Sequence, residues 1–123
     1  MKTENTIKVA QIGAGSFGKK RAESVQQCER AELLAIADAN LGTAEKAAQS
    51  LGIKALDLKG ILENPEINVV TIATPNAHHS EIACSALRSG KHVLCEKPVA
   101  RNAEEALEIL KVSNETGKKV KVG

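Results

Sequence analysis

The sequence predicts an α/β fold in which helices cover both faces of a doubly wound parallel sheet of six strands. Short apolar segments alternate with helix-compatible segments along all 123 residues, a pattern typical of parallel strands joined by crossover helices. The first strand also runs directly into a glycine-rich turn at residues 13–18. These observations predict the strand order 3-2-1-4-5-6, with a ligand crevice at the carboxyl ends of the first and fourth strands.

Six strands are predicted from the short apolar segments. In chain order they span residues 7–12, 33–38, 53–55, 68–73, 92–95 and 118–122. The fourth is a nearly continuous run of apolar and β-branched residues, which is typical of a strand buried on both faces. The short third strand and the lysine-rich sixth strand suit the edges of the sheet, because charged edge residues discourage pairing with another chain.

Five helices are predicted between these strands, at residues 17–27, 43–51, 58–63, 77–89 and 102–116. The pattern indicates Thr43 as the N-cap of the second helix and Gly52 as its end, because a threonine hydroxyl accepts a free N–H and glycine adopts the left-handed conformation. Asn102 is predicted to cap the last helix, with Glu105 at its third position as in a capping box. Gly117 is predicted to end that helix.

The composition is that of one globular domain spanning residues 1–123. The chain is 42% hydrophobic, but Phe17 is its only aromatic residue, so we expect an aliphatic core. Seventeen basic and fifteen acidic residues give a net charge of +2 without a block of like charge, which argues against binding to nucleic acid or to an anionic membrane. No apolar run approaches the roughly 20 residues that span a bilayer, and residues 1–6 lack the hydrophobic region of a signal peptide.

The cysteines and histidines do not form a recognisable site. Cys28, Cys84 and Cys95 are scattered without a C-x-x-C pair, which argues against a disulfide framework and fits a reducing cytoplasm. Cys95 follows an apolar strand, so we expect a small buried hydrophobe there rather than a reactive thiol. His78 and His79 are adjacent and point about 100° apart on a helix, and no metal site is expected.

Gly13, Gly15 and Gly18 have the G-x-G-x-x-G spacing of a phosphate-binding turn. The first glycine permits the tight turn, the second lets a pyrophosphate approach the backbone, and the third lets the following helix pack close to the strand. The helix N-terminus offers free N–H groups and the positive end of its dipole to the phosphates. Three glycines in six residues can also form a simple turn, but the strand before them and the helix after them favour a dinucleotide site.

Asp38, at the end of the second strand, is the candidate ribose-binding acid. It follows Gly18 by 20 residues, the spacing at which a dinucleotide fold places this carboxylate. A carboxylate accepts hydrogen bonds from the ribose hydroxyls of NAD but repels the 2′-phosphate of NADP, and residues 39–41 include no arginine to hold that phosphate. NAD is therefore favoured over NADP. The alternative role for Asp38 is to cap the turn that follows the strand.

Two further segments follow the ends of predicted strands, where this fold places its chemistry. Residues 73–79 (Ala-Thr-Pro-Asn-Ala-His-His) follow the fourth strand, and Glu96-Lys97-Pro98 follows the fifth. With the glycine motif and Asp38, these segments resemble the Gfo/Idh/MocA oxidoreductases, in which the same motifs occur in the same order. That family includes glucose–fructose oxidoreductase, inositol 2-dehydrogenase and other sugar or polyol dehydrogenases with an N-terminal Rossmann domain.

The resemblance implies a role for each residue of these motifs. It implies a pyrophosphate loop formed by Gly13, Gly15 and Gly18, with Ser16 and Phe17 beside it. It implies contacts of Asp38 with the adenosine ribose, and of Thr74, Pro75 and Asn76 with the nicotinamide-side ribose. It places His79 near that loop as a structural or cofactor-adjacent residue rather than a general base. For Phe17 itself, packing of the first helix against the sheet is slightly favoured over contact with the cofactor.

Lys97 is the candidate catalytic residue that the resemblance implies, and Glu96 lies beside it at the nicotinamide. Near a substrate hydroxyl and a cationic nicotinamide, we expect like-charge repulsion and desolvation to favour the neutral amine. Lys97 could then polarise the hydroxyl or share its proton during hydride loss, while Glu96 orients Lys97 or the cofactor amide. The bond between Lys97 and Pro98 is expected to be cis, as it often is in the family. Without the resemblance, a solvated Lys–Glu pair in a turn would be the better interpretation.

The implied activity is hydride transfer between NAD and a secondary alcohol of the sugar or polyol class. Family members continue into a larger α/β domain that supplies most substrate contacts and much of the oligomer interface. We therefore expect this chain alone to bind NAD with little or no turnover. We also expect the full-length protein to be a homo-oligomer, and the isolated domain to form a weak dimer through an exposed apolar patch near the crevice and the sixth strand.

Two other functions remain open from the sequence. The chain could be a stand-alone module that binds or senses NAD(H) without catalysis. It could also belong to another Rossmann enzyme, such as a methyltransferase, in which the acid after the second strand holds the ribose of a different adenosine cofactor. The ordered loops at residues 74–76 and 96–98 argue against that second alternative.

Overall fold

A parallel sheet forms the centre of the molecule and confirms the predicted α/β class. The computed structural model describes residues 6–74, 76–95, 100 and 102–122, with the backbone alone at residues 76 and 77. Its six strands are β1 (Ile7–Ile12), β2 (Ala31–Ala37), β3 (Lys54–Ala55), β4 (Val69–Ile72), β5 (His92–Cys95) and β6 (Val120–Val122). They pair in parallel in the predicted order β3-β2-β1-β4-β5-β6.

Five helices connect these strands within the described part of the chain. They are α1 (Ser16–Gln26), α2 (Leu41–Leu51), α3 (Leu58–Glu63), α4 (Asn76–Arg88) and α5 (Ala103–Thr116). Every predicted helix and strand is present, and each predicted end lies within two residues of the observed one. The apolar periodicity identifies an element more reliably than its ends, which depend on local capping.

The N-cap of α2 differs from the prediction. Asn40, rather than Thr43, caps this helix, and its Oδ1 accepts a hydrogen bond from the Thr43 backbone N–H at 3.0 Å. The prediction was wrong because asparagine caps a helix at least as well as threonine, so the stronger cap lies three residues earlier. The caps of α5 are confirmed: Asn102 Oδ1 accepts from the Glu105 N–H at 2.9 Å, and Gly117 ends the helix with φ 72°.

Buried side chains form one apolar cluster on each face of the sheet. On one face, Val9 and Ile36 pack against Ala22 of α1 and Ala47 of α2. The other cluster combines strand residues with side chains from α3, α4 and α5, including Ile12, Ile72, Ile61, Leu87 and Ile109. The helices thus cover both faces, and the predicted aliphatic core is present.

The edges of the sheet are β3 and β6, as predicted. Between β4 and β5, on the amino-terminal side of the sheet, Lys91 is only 2% exposed. Its Nζ donates hydrogen bonds to the carbonyl oxygens of Asn64 at 2.8 Å and Ile67 at 3.1 Å. Burial lowers the pKa of Lys91, and the two carbonyls compensate part of the cost of burying a cation. Lys91 therefore ties the start of β5 to the loop that precedes β4, far from the carboxyl ends of the strands.

Candidate dinucleotide site

The carboxyl ends of β1, β2 and β4 lie side by side and gather most of the predicted site. Ile12 pairs with Ala37 of β2 and with Ile72 of β4. Gly13, Asp38 and Thr74 follow these three ends within two residues. The sheet topology therefore brings together residues that are as many as 61 positions apart in the chain.

Gly13 and Gly18 are glycines that the fold itself requires. Gly13 has φ +106°, and a Cβ there would lie 2.3 Å from the carbonyl oxygen of Ala73. A Cβ on Gly18 would lie 2.1 Å from the carbonyl oxygen of Gly13. No side chain can be accommodated at such distances unless the backbone moves. The turn that follows β1 is therefore in close contact with the end of β4 on one side and with α1 on the other.

Gly15 differs from these two glycines, because nothing in the protein itself requires it. Its φ of −67° is open to any residue, and a Cβ there would have no atom within 4 Å among those described. Gly15 is the N-cap of α1, and within the described residues no side chain caps this helix and no acidic residue lies in its first turn. An open space above uncapped N–H groups at the positive end of a helix fits a pyrophosphate.

Asp38 is hydrogen-bonded to the glycine turn and to its own loop. Its Oδ2 accepts from the Ala14 N–H at 2.8 Å, and its Oδ1 accepts from the Asn40 N–H at 2.9 Å. The turn-capping role that the sequence left as an alternative is therefore present. Each carboxylate oxygen keeps further lone pairs, so the same side chain can also accept hydrogen bonds from ribose hydroxyls.

A cleft of about 440 Å³ opens beside Asp38, between the ends of β1, β2 and β4 and the helices α3 and α4. Its lining residues are Ile12, Ala37, Asp38, Ala39, Asp57, Leu58, Thr74, His78, Glu81 and Ile82. Three of them carry carboxylates, and none of them is a lysine or arginine. Apolar walls with acidic groups suit a nucleoside better than an additional phosphate group. A shallower groove of about 580 Å³ between α2 and β3 contains none of the predicted site residues.

The loop after β4 is held from beneath by His79. This side chain is 1% exposed, and its Nε2 is hydrogen-bonded to the carbonyl oxygen of Thr74. The Thr74 hydroxyl is buried and has no hydrogen-bond partner among the residues that the structure describes, although Thr74 lines the cleft. An unsatisfied buried hydroxyl beside a cleft is a natural contact for a bound polar group. A buried, hydrogen-bonded His79 is in a structural position and not in that of an exposed general base.

Phe17 does not pack against the sheet, so the slightly favoured interpretation of this residue was wrong. It is 63% exposed, because Gly18 and Ala22 occupy the buried face of α1 and the side chain of Phe17 points about 100° around the helix from that face. Ser16, the first residue of α1, is also exposed. Both residues lie beside the open space above Gly15.

Several predicted residues lie outside the part of the chain that the structure describes. They are Pro75, Glu96, Lys97 and Pro98, together with the predicted cis bond between the last two. Asn76 is described only by its backbone, as the first residue of α4. Immediately before the undescribed residues 96–99, Cys95 is 0% exposed, and burial raises the pKa of its thiol to about 11. The interpretation of Cys95 as a small buried hydrophobe is confirmed.

Gln11, which was not predicted as a site residue, contacts the glycine turn from inside the protein. Gln11 is 0% exposed, and its Nε2 donates to the carbonyl oxygen of Gly13 at 3.2 Å. Its partner Thr71, on the neighbouring strand β4, is also buried. The signal was present in the sequence, since Gln11 interrupts an apolar strand that must be covered on both faces.

Within the described residues, no group of three or more histidine, cysteine, aspartate or glutamate side chains is arranged to hold a metal ion. No described helix is both long enough and apolar enough to cross a membrane. The arrangement that remains is a glycine turn before an uncapped helix, a carboxylate at the end of β2 and a cleft between them and α4.

Comparison with known proteins agrees with this geometry. The family profile described as "Oxidoreductase family, NAD-binding Rossmann fold" (GFO_IDH_MocA) matches residues 7–123. Inositol 2-dehydrogenase of Rhizobium meliloti is 35% identical over 118 residues, which cover 96% of this chain and 36% of that protein. Levoglucosan dehydrogenase of Pseudarthrobacter phenanthrenivorans is 48% identical over 73 residues, which cover 58% of this chain and 19% of that protein.

A solved structure shows the same fold. Biliverdin reductase from Synechocystis sp. PCC 6803, determined with biliverdin and NADP⁺, superposes with a TM-score of 0.88 at 30% identity, covering 94% of this chain and 37% of that one. The chain thus spans only about a third of the length of such relatives. By its sequence, its strand order and its glycine turn, it belongs to the Gfo/Idh/MocA oxidoreductase family, as an NAD-binding Rossmann domain of that family.

Proposed function

We propose that this chain is the cofactor-binding domain of an enzyme that transfers a hydride between NAD and a secondary alcohol of a sugar or polyol. The family supports an oxidoreductase, and the names of the inositol and levoglucosan dehydrogenases support that substrate class. The carboxyl-end crevice, with Asp38 and the glycine turn in contact, supports dinucleotide binding. In such an enzyme the nicotinamide accepts or donates the hydride, and the protein supplies position and electrostatics.

The residues present fit the cofactor. Uncapped N–H groups at the start of α1 would bind the pyrophosphate, with Ser16 and Phe17 beside it, and Asp38 would bind the adenosine ribose. Thr74, Pro75 and Asn76 would line the nicotinamide-side ribose, where the unsatisfied hydroxyl of Thr74 offers a hydrogen bond. By family resemblance, Lys97 would polarise the substrate hydroxyl, Glu96 would orient Lys97, and buried His79 would hold the loop.

NAD rather than NADP is the proposed cofactor of this chain. Asp38, Asp57 and Glu81 line the cleft without a lysine or arginine among its lining residues. A 2′-phosphate would therefore meet carboxylates and no compensating cation, whereas the two hydroxyls of NAD can donate to Asp38. Relatives that bind NADP⁺ exist, such as the biliverdin reductase, so this preference is a property of the residues in the cleft and not of the fold.

The open space above Gly15 is the single observation that carries the proposal, because no atom of the described residues lies within 4 Å of a Cβ placed there. A Gly15→Ala substitution should leave the free energy of unfolding within about 1 kcal/mol of its original value, since φ −67° suits alanine. The new methyl group should nevertheless obstruct the pyrophosphate and weaken NAD binding by about tenfold or more. Unfolding is measured by far-ultraviolet circular dichroism and binding by calorimetry.

Gly117→Ala is the matched control for that experiment. Gly117 has φ 72° and caps α5, at the end of the sheet away from the glycine turn. Alanine in this conformation should lower stability by about 1 kcal/mol and leave NAD affinity unchanged. The proposal fails if Gly15→Ala binds NAD as tightly as the original chain, or if both variants weaken NAD binding to the same extent.

We place the protein in the cytoplasm, as a homo-oligomer in its full-length form. The compartment is supported by Cys84 and Cys95, which are both buried and form no disulfide bond with each other, a pattern that suits a reducing environment. The substrate contacts would come mainly from residues outside this chain. The domain by itself should therefore bind NAD but show little or no turnover.

A further inference from the structure

Gln11 is a polar residue in the middle of the sheet. It is 0% exposed, and it shares a strand face with Val9, which belongs to the apolar cluster beneath α1 and α2. A primary amide in such surroundings destabilises the protein unless its polar atoms have partners. A leucine or valine would be the simpler choice at this position, so the partners of the amide are informative.

Two hydrogen-bond acceptors and one donor hold the Gln11 amide in one orientation. Its Nε2 donates to the carbonyl oxygens of Gly13 at 3.2 Å and Ile12 at 3.3 Å. Its Oε1 accepts a hydrogen bond from the hydroxyl of Thr71. Gln11 and Thr71 are directly opposite each other on β1 and β4, and Thr71 is 3% exposed. Rotation of the amide by 180° would place its oxygen against two carbonyls, so a single arrangement is favoured.

The same amide lies beneath both outer glycines of the phosphate-binding turn. It holds the carbonyl group of Gly13, and its Nε2 is 3.2 Å from the place that a Cβ of Gly18 would occupy. The other side of the turn is held by the Gly13 N–H, which donates to the Ala37 carbonyl at 2.7 Å, and by the Ala14 N–H, which donates to Asp38. Gln11 therefore holds the turn from the interior of the protein, while these two hydrogen bonds hold its other side.

We propose that Gln11 and Thr71 are positioning residues for the cofactor. By directing the Gly13 carbonyl into the protein, they keep the turn in the one conformation in which the N–H groups at the start of α1 face the pyrophosphate. Without the amide, that carbonyl loses a buried donor, and the turn populates other conformations in which it rotates toward water. Ligand affinity falls with the fraction of molecules in the competent conformation. This inference rests on the proposed function.

The test is the double variant Gln11→Leu/Thr71→Val, which removes the Gln11–Thr71 pair together but leaves the Gly13 carbonyl without its buried donor. The free energy of unfolding should fall by about 1–2 kcal/mol because of that carbonyl, and the variant should remain folded. NAD should bind about tenfold more weakly. Adenosine, which reaches the cleft and Asp38 but has no pyrophosphate, should bind as it does to the original chain. Both affinities are measured by nuclear magnetic resonance titration.

Three further variants separate positioning from general stability. Thr71→Val alone leaves Gln11 without its anchor and should weaken NAD binding by about threefold, whereas Thr71→Ser keeps the hydroxyl and should restore it. Ser113→Ala removes a hydrogen bond to the Lys118 carbonyl, 2.6 Å long, at the opposite end of the sheet. It should lower stability without changing either affinity.

Unchanged NAD affinity in the folded double variant would overturn the inference, as would an equal loss of NAD and adenosine affinity, because each result would assign Gln11 a purely structural role. If the double variant does not fold, the single variants Thr71→Val and Thr71→Ser test the inference instead. Unchanged NAD affinity in folded Thr71→Val would then overturn it. Failure of the original chain to bind NAD is a different outcome, which would overturn the proposed function and the inference with it.

Discussion

At the scale of single residues, Asp38 fixes the conformation of the turn and is the proposed contact of the adenosine ribose. Its two oxygens accept from the N–H groups of Ala14 and Asn40. The sequence left ribose binding and turn capping as alternatives for this carboxylate, because both require an acid at the end of β2. In the structure the capping bonds leave lone pairs unused, so one side chain can serve both purposes.

An Asp38→Asn variant should separate these contributions. Asparagine keeps one acceptor oxygen but turns an NH₂ group toward one of the two backbone donors, so stability should fall by about 1–2 kcal/mol. NAD should bind roughly tenfold more weakly, and the preference over NADP should shrink because the repelling charge is lost. Calorimetric titration with NAD and with NADP measures both affinities and so the preference between them.

Asp57→Asn is the control for that substitution. Asp57 lines the same cleft and caps α3 through the Gly60 N–H at 2.7 Å, a cap that asparagine can also form. The NAD affinity of the Asp57→Asn variant should stay close to that of the original chain. An Asp38→Asn protein with undiminished preference for NAD would contradict the role given to Asp38.

At the scale of helices and strands, the apolar pattern identified each element, while its neighbours determined its ends and its exposed face. The hydroxyl of Thr43 can cap a helix, but Asn40 lies three residues earlier and caps α2 in its place by accepting from the Thr43 N–H. For Phe17, packing against the sheet was slightly favoured over contact with the cofactor, but the close contact between Gly18 and Gly13 fixes which face of α1 turns inward. Such contacts between distant elements cannot be read from the local sequence.

The attachment of edge strand β6 to β5 should depend on pH through His92. The Nδ1 of His92 accepts a hydrogen bond from the Lys119 N–H at 3.1 Å, which a protonated nitrogen cannot do. Burial, and then the charges of Lys118 and Lys119, lower the pKa of His92 below its ordinary value of 6.5. The folded protein thus prefers neutral His92, so its contribution to stability is complete above pH 6.5 and decreases as the pH falls toward the lowered pKa.

His92→Asn keeps an acceptor for the Lys119 N–H but does not titrate, so it should lose this part of the pH dependence. Melting temperatures of the original chain and the variant, measured between about pH 7.5 and pH 5, should diverge from each other as the pH falls. Because His78 and His79 remain in both proteins, the difference between the two curves isolates His92. Parallel curves over the whole range would show that protonation of His92 does not weaken the strand.

At the scale of the whole molecule, the strand order and the position of the crevice followed from the sequence because they depend on repeated, redundant signals. Six apolar segments, five helical segments and a glycine turn all agree on one topology. The Gln11–Thr71 pair could not be predicted in the same way. It joins residues 60 positions apart, and only the pairing of β1 with β4 shows that the two polar groups satisfy each other.

Large apolar side chains are exposed on α5 and at the end of β6. Leu107 and Leu110 of α5 are 64% and 57% exposed, and Val122 at the end of β6 is 40% exposed. Apolar side chains grouped on an outer helix and an edge strand favour contact with another surface. We expect a weak dimer by sedimentation equilibrium with interference detection, and Leu107→Glu/Leu110→Lys should abolish it. A strictly monomeric original chain at millimolar concentration would contradict this expectation.

Calorimetric titration of the unaltered 123-residue chain with NAD⁺, NADH and NADP⁺ in parallel tests directly whether this domain binds NAD. We expect measurable binding of both forms of NAD, and binding of NADP⁺ that is weaker by about tenfold or more because of the carboxylate of Asp38. Absence of binding for all three cofactors at millimolar concentration, or tighter binding of NADP⁺, would contradict this prediction.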